Sequence, residues 1–147
     1  MISKLTGIKV IYGFRQSDIA NGGIGAPLTP AFHNEFMSKA KVNRAIVNIG
    51  GIANITLLPS KGEILGWDIG PGNCFIDQAV KKITNGKKHY DNKGALAKKG
   101  NPLALKNSIK KFLNKSYFKK EIPKSQSVEN YDLRKFKFEI NEKKKLK

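Results

Sequence analysis

Residues 44–77, RAIVNIGGIANITLLPSKGEILGWDIGPGNCFID, carry the strongest structural signal in this chain. Three short apolar runs in this stretch are rich in β-branched residues and predict strands. They are Ala45–Ile49, Ile52–Leu58 and Glu63–Asp68. The Gly50-Gly51 pair is typical of a tight hairpin that needs positive φ, and Ser60–Gly62 is typical of a second turn. We therefore expect an α/β fold built on an antiparallel three-stranded meander.

A helix is predicted directly after the third strand. Gly70-Pro71-Gly72-Asn73 ends that strand, Cys74–Ile83 is apolar at helical spacing, and Asn73 is placed to cap the helix. Two glycine-lined turns at one edge of a small sheet would offer backbone N–H groups to an anion. The polar residues beside these turns are Asn48, Asn54, Asp68 and Asn73. Most glycine pairs between strands only turn the chain, so spacing alone leaves both interpretations open.

A segment rich in glycine and proline precedes the strands. Ile8–Phe14 predicts a short strand, and Ser17–His33, SDIANGGIGAPLTPAFH, contains too many breakers to be regular structure. Asp18 lies four residues before Gly22-Gly23, where a bare backbone would let a ligand approach a carboxylate that accepts a proton. An N-cap or turn aspartate is the structural alternative, and the residues alone favour it.

The net charge of +17 is concentrated in residues 81–147. All of the 28 basic residues except Arg15, Arg44 and Arg134 are lysines, whereas proteins that read bases and phosphates favour the bidentate guanidinium. A solvated lysine surface is therefore favoured over a nucleic-acid site. Several aromatic residues of the second half could stack on bases, but their apolar helical spacing favours core positions. They are Tyr90, Phe112, Tyr117, Phe118, Tyr131, Phe136 and Phe138.

Other sequence features exclude several classes of protein. Apolar runs are too short to cross a membrane, and Met1–Val10 lacks the order of a signal peptide, so a soluble cytoplasmic protein without a membrane partner is expected. Cys74 is the single cysteine and lies on an apolar helix face, which favours a buried thiol over a nucleophile. His33 and His89 are isolated, so no metal site of protein ligands is expected.

Two sequence blocks carry a family resemblance. NIGGIANIT followed by GWDIGPGN resembles the signature NIGGIANLT and GFDTGPGN of the anhydro-N-acetylmuramic acid kinases. Residues 14–33 are similar to that family's FRxxDxAxGGxGAPLxPxFH segment. Gly13 stands where the family usually has aspartate, and Ile69 stands where it has threonine. The resemblance implies a partial actin-like ATPase (ribonuclease H-like) fold, as in the sugar kinase, Hsp70 and actin superfamily.

The resemblance also implies an activity and its site. Such a kinase uses ATP and Mg²⁺ to phosphorylate 1,6-anhydro-N-acetylmuramic acid and opens the anhydro ring, which gives N-acetylmuramic acid 6-phosphate in peptidoglycan recycling. Asp18 matches the catalytic aspartate that activates the attacking water. The implied phosphate-binding residues are Asn48, Gly50, Gly51 and Asn54. The implied substrate-binding residues are Gly22, Gly23, Gly25, Pro27, Asp68, Gly70, Gly72 and Asn73.

The resemblance covers about residues 5–133 and implies a division of the chain. Residues 1–40 correspond to the end of a first lobe and its active-site loop, and residues 41–133 to the opening of a second lobe. Residues 134–147 are expected to be a basic, disordered tail. The family's GxMSGTSxDG and CGGGxxN segments have no match in this sequence, so a central fragment is expected.

Alternatives to a working kinase remain open at this stage. One is an inactive remnant, or a piece of a split enzyme whose missing lobes or second copy are its partners. The other is a small basic nucleic-acid-binding module. If the kinase interpretation holds, Asp18 and Gly50 face each other across one cleft, roughly 8–15 Å apart, because water activation and phosphate binding must meet at one sugar. A second helix is predicted near Pro102–Leu113.

Overall fold

The computed structural model describes residues 1–113 and 115–135. The helices are α1 (Ile2–Thr6), α2 (Phe14–Ala20), α3 (Pro30–Met37), α4 (Cys74–Ile83) and α5 (Lys106–Leu113). The strands are β1 (Arg44–Ile49), β2 (Ile52–Leu58) and β3 (Leu65–Pro71). Short 3₁₀ segments occupy Asn92–Gly94, Ala97–Lys99, Pro102–Leu105, Ser116–Lys119, Val128–Asn130 and Leu133–Lys135. The order of helices and strands places one sheet between two helical parts of the chain.

The three strands form an antiparallel sheet in the order β1-β2-β3, which confirms the predicted meander. β3 begins at Leu65, two residues later than predicted. Asn54 pairs with Asp68 while Ala53 pairs with Gly70, so the intervening Ile69 has no partner and forms a β-bulge. A bulge bends the strand and turns the following residues toward a new direction. The bulge therefore lies directly before the turn that leads into α4.

The turn between β1 and β2 differs from its predicted geometry. Ile49 pairs with Ala53, so three residues rather than two separate the paired positions. Neither Gly50 nor Gly51 has positive φ. The prediction that this glycine pair supplies positive φ is therefore wrong, because the longer loop reverses the chain without it. Positive φ occurs instead at Gly62, in the predicted second turn.

The N-terminal part of the chain is more helical than predicted. The strand predicted at Ile8–Phe14 is wrong, since residues 7–13 form no regular element and Phe14 begins α2. The region Ser17–His33 was expected to be irregular, yet α2 and α3 flank a loop of residues 21–29. Pro30 occupies the first turn of α3, where the missing N–H has no helical partner to lose. A proline interpreted as a breaker thus begins a helix.

Helices in the second half follow the sequence prediction closely. α4 spans Cys74–Ile83, and the 3₁₀ segment Pro102–Leu105 continues into α5, which confirms the helix predicted at Pro102–Leu113. The Asn101 side chain accepts a hydrogen bond from the Leu103 N–H at 3.1 Å and caps the 3₁₀ segment. Lys106 and Lys110 of α5 are exposed, and so are Ile109 and Leu113. Of the predicted tail, residues 136–147 lie outside the described residues.

Aromatic side chains of the second half pack against one another. The Phe112 ring lies 5.8 Å from the Phe75 ring and 5.1 Å from the Phe118 ring, and the Phe75 ring lies 5.7 Å from the Tyr131 ring. Tyr117 and Tyr131 are buried, which confirms their predicted core positions. Tyr90 is exposed and is the exception, while Phe136 and Phe138 lie outside the described residues. Rings that pack against one another in this way support the predicted core role rather than stacking on bases.

Buried apolar side chains are few in the described part of the chain. They are Leu58, Cys74, Val80, Tyr117 and Tyr131. Cys74 is buried as predicted, and burial raises the pKa of its thiol, which disfavours the nucleophilic thiolate. Among the residues described, no helix combines the length and apolar character needed to cross a membrane.

Two buried tyrosines differ in how their hydroxyl groups are satisfied. The Tyr117 hydroxyl donates to the Asp68 carbonyl at 2.6 Å, whereas the Tyr131 hydroxyl has no hydrogen-bond partner among the described residues. Burial raises the pKa of both phenols, and burial together with the neighbouring Cys74 and Asp68 raises the pKa of Tyr131 to about 12. A comparison of the two residues therefore separates the effect of burying a tyrosine hydroxyl from the effect of hydrogen-bonding it.

Removing the two hydroxyl groups is expected to have opposite consequences. Tyr117→Phe should lower the free energy of unfolding by about 1–3 kcal/mol, because it leaves a buried carbonyl without its donor. Tyr131→Phe should leave the free energy of unfolding at pH 7 unchanged or raise it by up to about 1 kcal/mol. Urea unfolding of the purified variants measures both. Equal losses in the two variants would contradict the assigned bonding.

Tyr131 also predicts a pH dependence of the free energy of unfolding. The pKa of Tyr131 in the folded chain is about 12, above its ordinary value of 10.0. Below pH 10 the phenol is neutral in both the folded and the unfolded chain, so its ionisation takes nothing from the stability of the fold. As the pH rises from 10 toward 12, the phenol ionises more readily in the unfolded chain, so the free energy of unfolding falls. Urea unfolding of Tyr131→Phe should therefore show a smaller loss across this interval than the unchanged chain.

Candidate active site

Side chains on one face of α2 bond to and pack against a glycine of the following loop. Arg15, Asp18 and Ile19 are three and four residues apart and so lie on one face of the helix. The Gly25 N–H donates to Asp18 Oδ2 at 2.8 Å, and Arg15 Nε donates to the Gly25 carbonyl at 3.0 Å. Gly25 is buried, and a Cβ there would lie 2.8 Å from Ile19 Cδ1. The loop is thus fixed to α2 through both polar groups of Gly25.

The structure also explains why the other glycines of this loop are glycine. Gly22 and Gly25 have φ of 87° and 72°, a region that side chains other than glycine rarely adopt. A Cβ at Gly23 would overlap the Asp18 carboxylate. The spacing of glycines therefore lets the loop wrap around Asp18, which explains why this carboxylate and these glycines occur together.

Asp18 itself is neither a helix cap nor part of an ion pair. It is the fifth residue of α2 and is half-buried. The ion pair found among the described residues joins Asp132 to Arg134. One oxygen of Asp18 has a structural role, since Oδ2 holds the loop through the Gly25 N–H. Oδ1 accepts none of the hydrogen bonds found in the described part of the chain, which leaves it for a ligand.

The strand register aligns three polar residues in one row. Asn48 pairs with Asn54, and Asn54 pairs with Asp68. Directly paired residues on antiparallel strands point to the same face of the sheet. Asn48 is exposed, Asn54 is half-buried and Asp68 is buried. We call Asn48, Asn54 and Asp68 the polar row; it crosses the sheet beside the bulge.

Asp68 is held by a distant part of the chain. Its Oδ2 accepts hydrogen bonds from Ser125 Oγ at 3.0 Å and from the Gln126 N–H at 2.7 Å. Its own N–H donates to the Lys124 carbonyl at 2.9 Å. A buried carboxylate needs such donors to offset its lost hydration. Sequence reasoning missed Tyr117, Ser125 and Gln126 as supports of the site.

α3 packs against the same face of the sheet as the polar row. His33 Nδ1 and Thr56 Oγ1 form a hydrogen bond of 2.9 Å, and Thr56 is fully buried. Thr56 pairs with Gly66, where a Cβ would overlap Pro30 and would lie 3.5 Å from Pro27 Cγ. Gly66 precedes Asp68 by two residues on one face of β3. The glycine loop therefore reaches the sheet next to the polar row.

The two glycine turns at the end of the sheet are bonded to each other. The N–H groups of Gly72 and Cys74 donate to the Gly51 carbonyl at 3.0 and 3.2 Å, and that of Asn73 donates to the Gly50 carbonyl at 2.7 Å. A Cβ at Gly72 would overlap the Gly50 carbonyl oxygen. The N–H groups of Gly72, of Asn73 and of Cys74, the first residue of α4, are therefore satisfied by the neighbouring turn.

Asn73 precedes α4 as predicted but does not cap it with its side chain. Its Nδ2 donates instead to the Ile49 carbonyl at 3.2 Å. The predicted side-chain cap is wrong: the Asn73 side chain is bonded to β1, and its backbone is already helical with φ −79° and ψ −12°, whereas capping residues usually have β-region dihedrals. The Asn73 side chain joins the two turns and remains exposed.

Gly50 lacks a structural reason to be glycine among the described residues. It does not have positive φ, and a Cβ would lie 3.6 Å from the Ile52 carbonyl oxygen, an ordinary van der Waals contact. Its carbonyl accepts a hydrogen bond from the Asn73 N–H, while its own N–H donates in none of the backbone hydrogen bonds of the described turns and loops. A glycine that the fold does not require leaves room for close approach of a ligand to the backbone.

The family model of anhydro-N-acetylmuramic acid kinases matches residues 1–147. The chain belongs to this family. Three relatives are named anhydro-N-acetylmuramic acid kinase. The one from Crocosphaera subtropica is 42% identical over 135 residues, the one from Nitrosomonas europaea 43% over 136, and the one from Shewanella loihica 44% over 132. These matches cover 88%, 90% and 89% of this chain.

This member of the anhydro-N-acetylmuramic acid kinase family spans about a third of the length of the curated relatives it matches. The matched share is 35% of the Crocosphaera subtropica protein and 36% of the Nitrosomonas europaea protein. The family belongs to the sugar kinase and actin-like ATPase superfamily, and the antiparallel sheet with its helices confirms the predicted α/β class. The resemblance carried by the two glycine blocks is likewise confirmed.

The remaining predicted site residue is Gly70, which lies near the end of β3. Gly70 is buried, and a Cβ there would lie 3.1 Å from Phe118 Cε1. The predicted residues thus fall into three groups. Asp18 lies with the glycine loop, the polar row crosses the sheet, and Gly50-Gly51 lies with Gly72 and Asn73 at the end of the sheet.

Proposed function

We propose that this chain supplies the central part of an active site that phosphorylates 1,6-anhydro-N-acetylmuramic acid with ATP and opens its anhydro ring. One observation carries the proposal. The Asp18 carboxylate is fixed through one oxygen to Gly25, in a loop that packs by Pro27 on Gly66, next to the polar row. A carboxylate held in one orientation beside a face of oxygen and amide groups suits water activation at a sugar.

The proposed chemistry assigns the proton to Asp18. A water molecule attacks the anomeric carbon, and its proton passes to Asp18 Oδ1 while Oδ2 keeps its bond to the Gly25 N–H. The bond between the anomeric carbon and the 6-oxygen breaks. The freed 6-oxygen forms a bond to the γ-phosphorus, whose bond to the bridging oxygen breaks to release ADP.

The phosphate end of the site is assigned to the turn after β1. We propose that the N–H groups of Gly50 and Gly51 and the amides of Asn48 and Asn54 bind the phosphates of ATP. This assignment is supported by Gly50, which the fold does not require to be glycine. Asp18 and Gly50 facing each other across one cleft remains a prediction.

The sugar end of the site combines the loop with the second turn. We propose that Gly22, Gly23, Gly25 and Pro27 line one side of the sugar and that Gly70, Gly72 and Asn73 line the other. Asp68 would contact the substrate through Oδ1, because Oδ2 already accepts two internal hydrogen bonds. Ile69, where the family has threonine, offers no hydroxyl at this place.

Magnesium fits this proposal with few protein ligands. No group of three or more histidine, cysteine, aspartate or glutamate side chains that could hold a metal lies within residues 1–113 and 115–135. Mg²⁺ in kinases is held mainly by substrate phosphates and water with one or two carboxylates. Asp68 Oδ1 is assigned to the sugar, so the phosphates of ATP and water would hold the ion, which neutralises phosphate charge when bound.

The proposal also covers the lobes, the cellular location and the partners of the activity. Residues 1–40 would close a first lobe and residues 41–133 would open a second, in the cytoplasm where ATP is available. The remaining partners would be the rest of the kinase fold, or a second copy that contributes to it. Nucleic acid is not proposed as a partner, because the aromatic rings of the second half pack together.

Activity is expected to need more of the kinase than this chain. The purified chain should show no ATP-dependent phosphorylation of 1,6-anhydro-N-acetylmuramic acid above background, because a partial cleft cannot position both phosphates and sugar. A grafted kinase, in which this chain replaces the matched 136-residue stretch of the Nitrosomonas europaea relative, should phosphorylate the sugar. Radiolabelled ATP and chromatography of the product measure both.

The controls for this experiment are the unchanged relative and a fold measurement. Robust turnover by the chain alone would show that the rest of the kinase is dispensable. A grafted kinase that folds, as judged by circular dichroism and a cooperative melting transition, but phosphorylates no sugar would contradict the proposed function.

A further inference from the structure

We propose that Arg15 is a positioning residue that acts on Asp18 through Gly25. The inference rests on the proposed function for the role of Asp18 as the proton acceptor. The geometry itself does not depend on that function. Arg15 Nε donates to the Gly25 carbonyl at 3.0 Å, and the Gly25 N–H donates to Asp18 Oδ2 at 2.8 Å.

The two hydrogen bonds hold opposite ends of one residue. Gly25 contributes its N–H to Asp18 and its carbonyl to Arg15, so the φ and ψ of Gly25 are fixed from both sides. Without these hydrogen bonds, a glycine would change its φ and ψ more freely than any other residue at this position. The Arg15 bond therefore restricts the residue that orients the carboxylate.

Loss of the Arg15 donor has a direct consequence for Asp18. Gly25 is buried, and its carbonyl would be left without its side-chain donor. The loop would then relieve the unpaired group by turning about Gly25, which moves the N–H away from Asp18 Oδ2. The carboxylate would lose its fixed orientation although it remains present.

Positioning predicts an effect on kcat rather than on sugar binding. A misplacement of about 1 Å in a catalytic group can cost roughly 10²-fold in rate. Arg15 makes no proposed contact with the sugar or with ATP. Its removal should therefore lower kcat and change KM little, because the interaction it supports is made at the reacting atoms.

A matched pair of substitutions isolates the hydrogen bond. Glutamine carries an N–H donor the same number of bonds from Cα as arginine Nε, without the charge, and methionine has the same length without a donor. In the grafted kinase, Arg15→Met should lower kcat by about 10–100-fold with KM for the sugar within about threefold, whereas Arg15→Gln should keep most of the activity. Gln16→Met, at an exposed neighbouring position, is the control.

A second readout needs no activity. Hydrogen exchange of the Gly25 amide, followed by NMR in the chain itself, should be faster by about tenfold or more in Arg15→Met and nearly unchanged in Arg15→Gln. Gln16→Met should leave this amide unchanged. The measurement reports the loop directly, so it stays informative if the grafted kinase is inactive.

The outcomes separate this inference from the proposed function. Equal kcat in Arg15→Met and Arg15→Gln, or unchanged exchange of the Gly25 amide in Arg15→Met, would overturn the positioning role. Full activity of Asp18→Asn would instead overturn the proposed role of Asp18, whatever Arg15 does. Selective loss of kcat and of Gly25 protection in Arg15→Met would support the inference.

Discussion

Asp18→Asn in the grafted kinase is expected to lower kcat by about 10²–10⁴-fold, the usual contribution of a general base. Asparagine keeps the shape of the side chain, and its Oδ1 can accept the Gly25 N–H in place of the aspartate Oδ2. The loop should therefore stay in place. What is lost is the oxygen that takes the proton from water, since the amide nitrogen presents only donors there.

Nucleotide binding provides the internal comparison for this variant. The Kd for ATP, measured by isothermal titration calorimetry, should change less than about twofold, because Asp18 contacts no phosphate in the proposed site. Glu35→Gln makes the same carboxylate-to-amide change at an exposed position of α3 and should leave kcat unchanged. Turnover of Asp18→Asn close to that of the unchanged protein would remove Asp18 from the mechanism.

Gly72→Ala is expected to be the most damaging small substitution for folding. Its Cβ would overlap the Gly50 carbonyl oxygen and would lie 3.2 Å from the Ala53 N, and both atoms belong to backbone that cannot move alone. The two turns would have to separate, which weakens the three hydrogen bonds from the N–H groups of residues 72–74 to the Gly50 and Gly51 carbonyls. We expect a loss of about 2–4 kcal/mol in the free energy of unfolding.

Gly50→Ala is the matched control for this effect. It adds the same methyl group on the opposite side of the contact, where the nearest atom is 3.6 Å away and φ is not positive. Its effect on unfolding should stay below about 0.5 kcal/mol, as for an unstrained surface change. Urea unfolding of both variants decides the matter. Similar losses for the two alanines would contradict the asymmetry between the turns.

Local sequence patterns predicted the sheet and the later helices well. The β-branched runs of β1 and β2 and the apolar spacing of α4 depend on residues that are near in sequence, so periodicity alone is informative. The same approach failed at α2 and α3. Ile8–Phe14 was predicted as a strand although Phe14 begins α2, and the glycines and prolines of Ser17–His33 were interpreted as breakers although Pro30 begins α3.

The sequence predicted which residues form the candidate site but not the contacts that hold them in place. The motifs pointed to Asp18, to the glycines and to the polar residues of the strands. They did not indicate that Gly23 has no room for a side chain because of Asp18, or that Arg15 bonds Gly25. These facts depend on how a loop folds back on its own helix, which sequence spacing leaves open.

By itself the sequence determined the meander, the helix after it and the family, because β-branched runs, glycine turns and helical spacing act over a few residues. Only the tertiary structure decided the partners of the buried polar groups. Asp68 is held by Ser125 and Gln126, and Thr56 is bonded to His33. Such pairings join segments far apart in the chain, and burial selects them because an unpaired polar group inside the protein costs free energy.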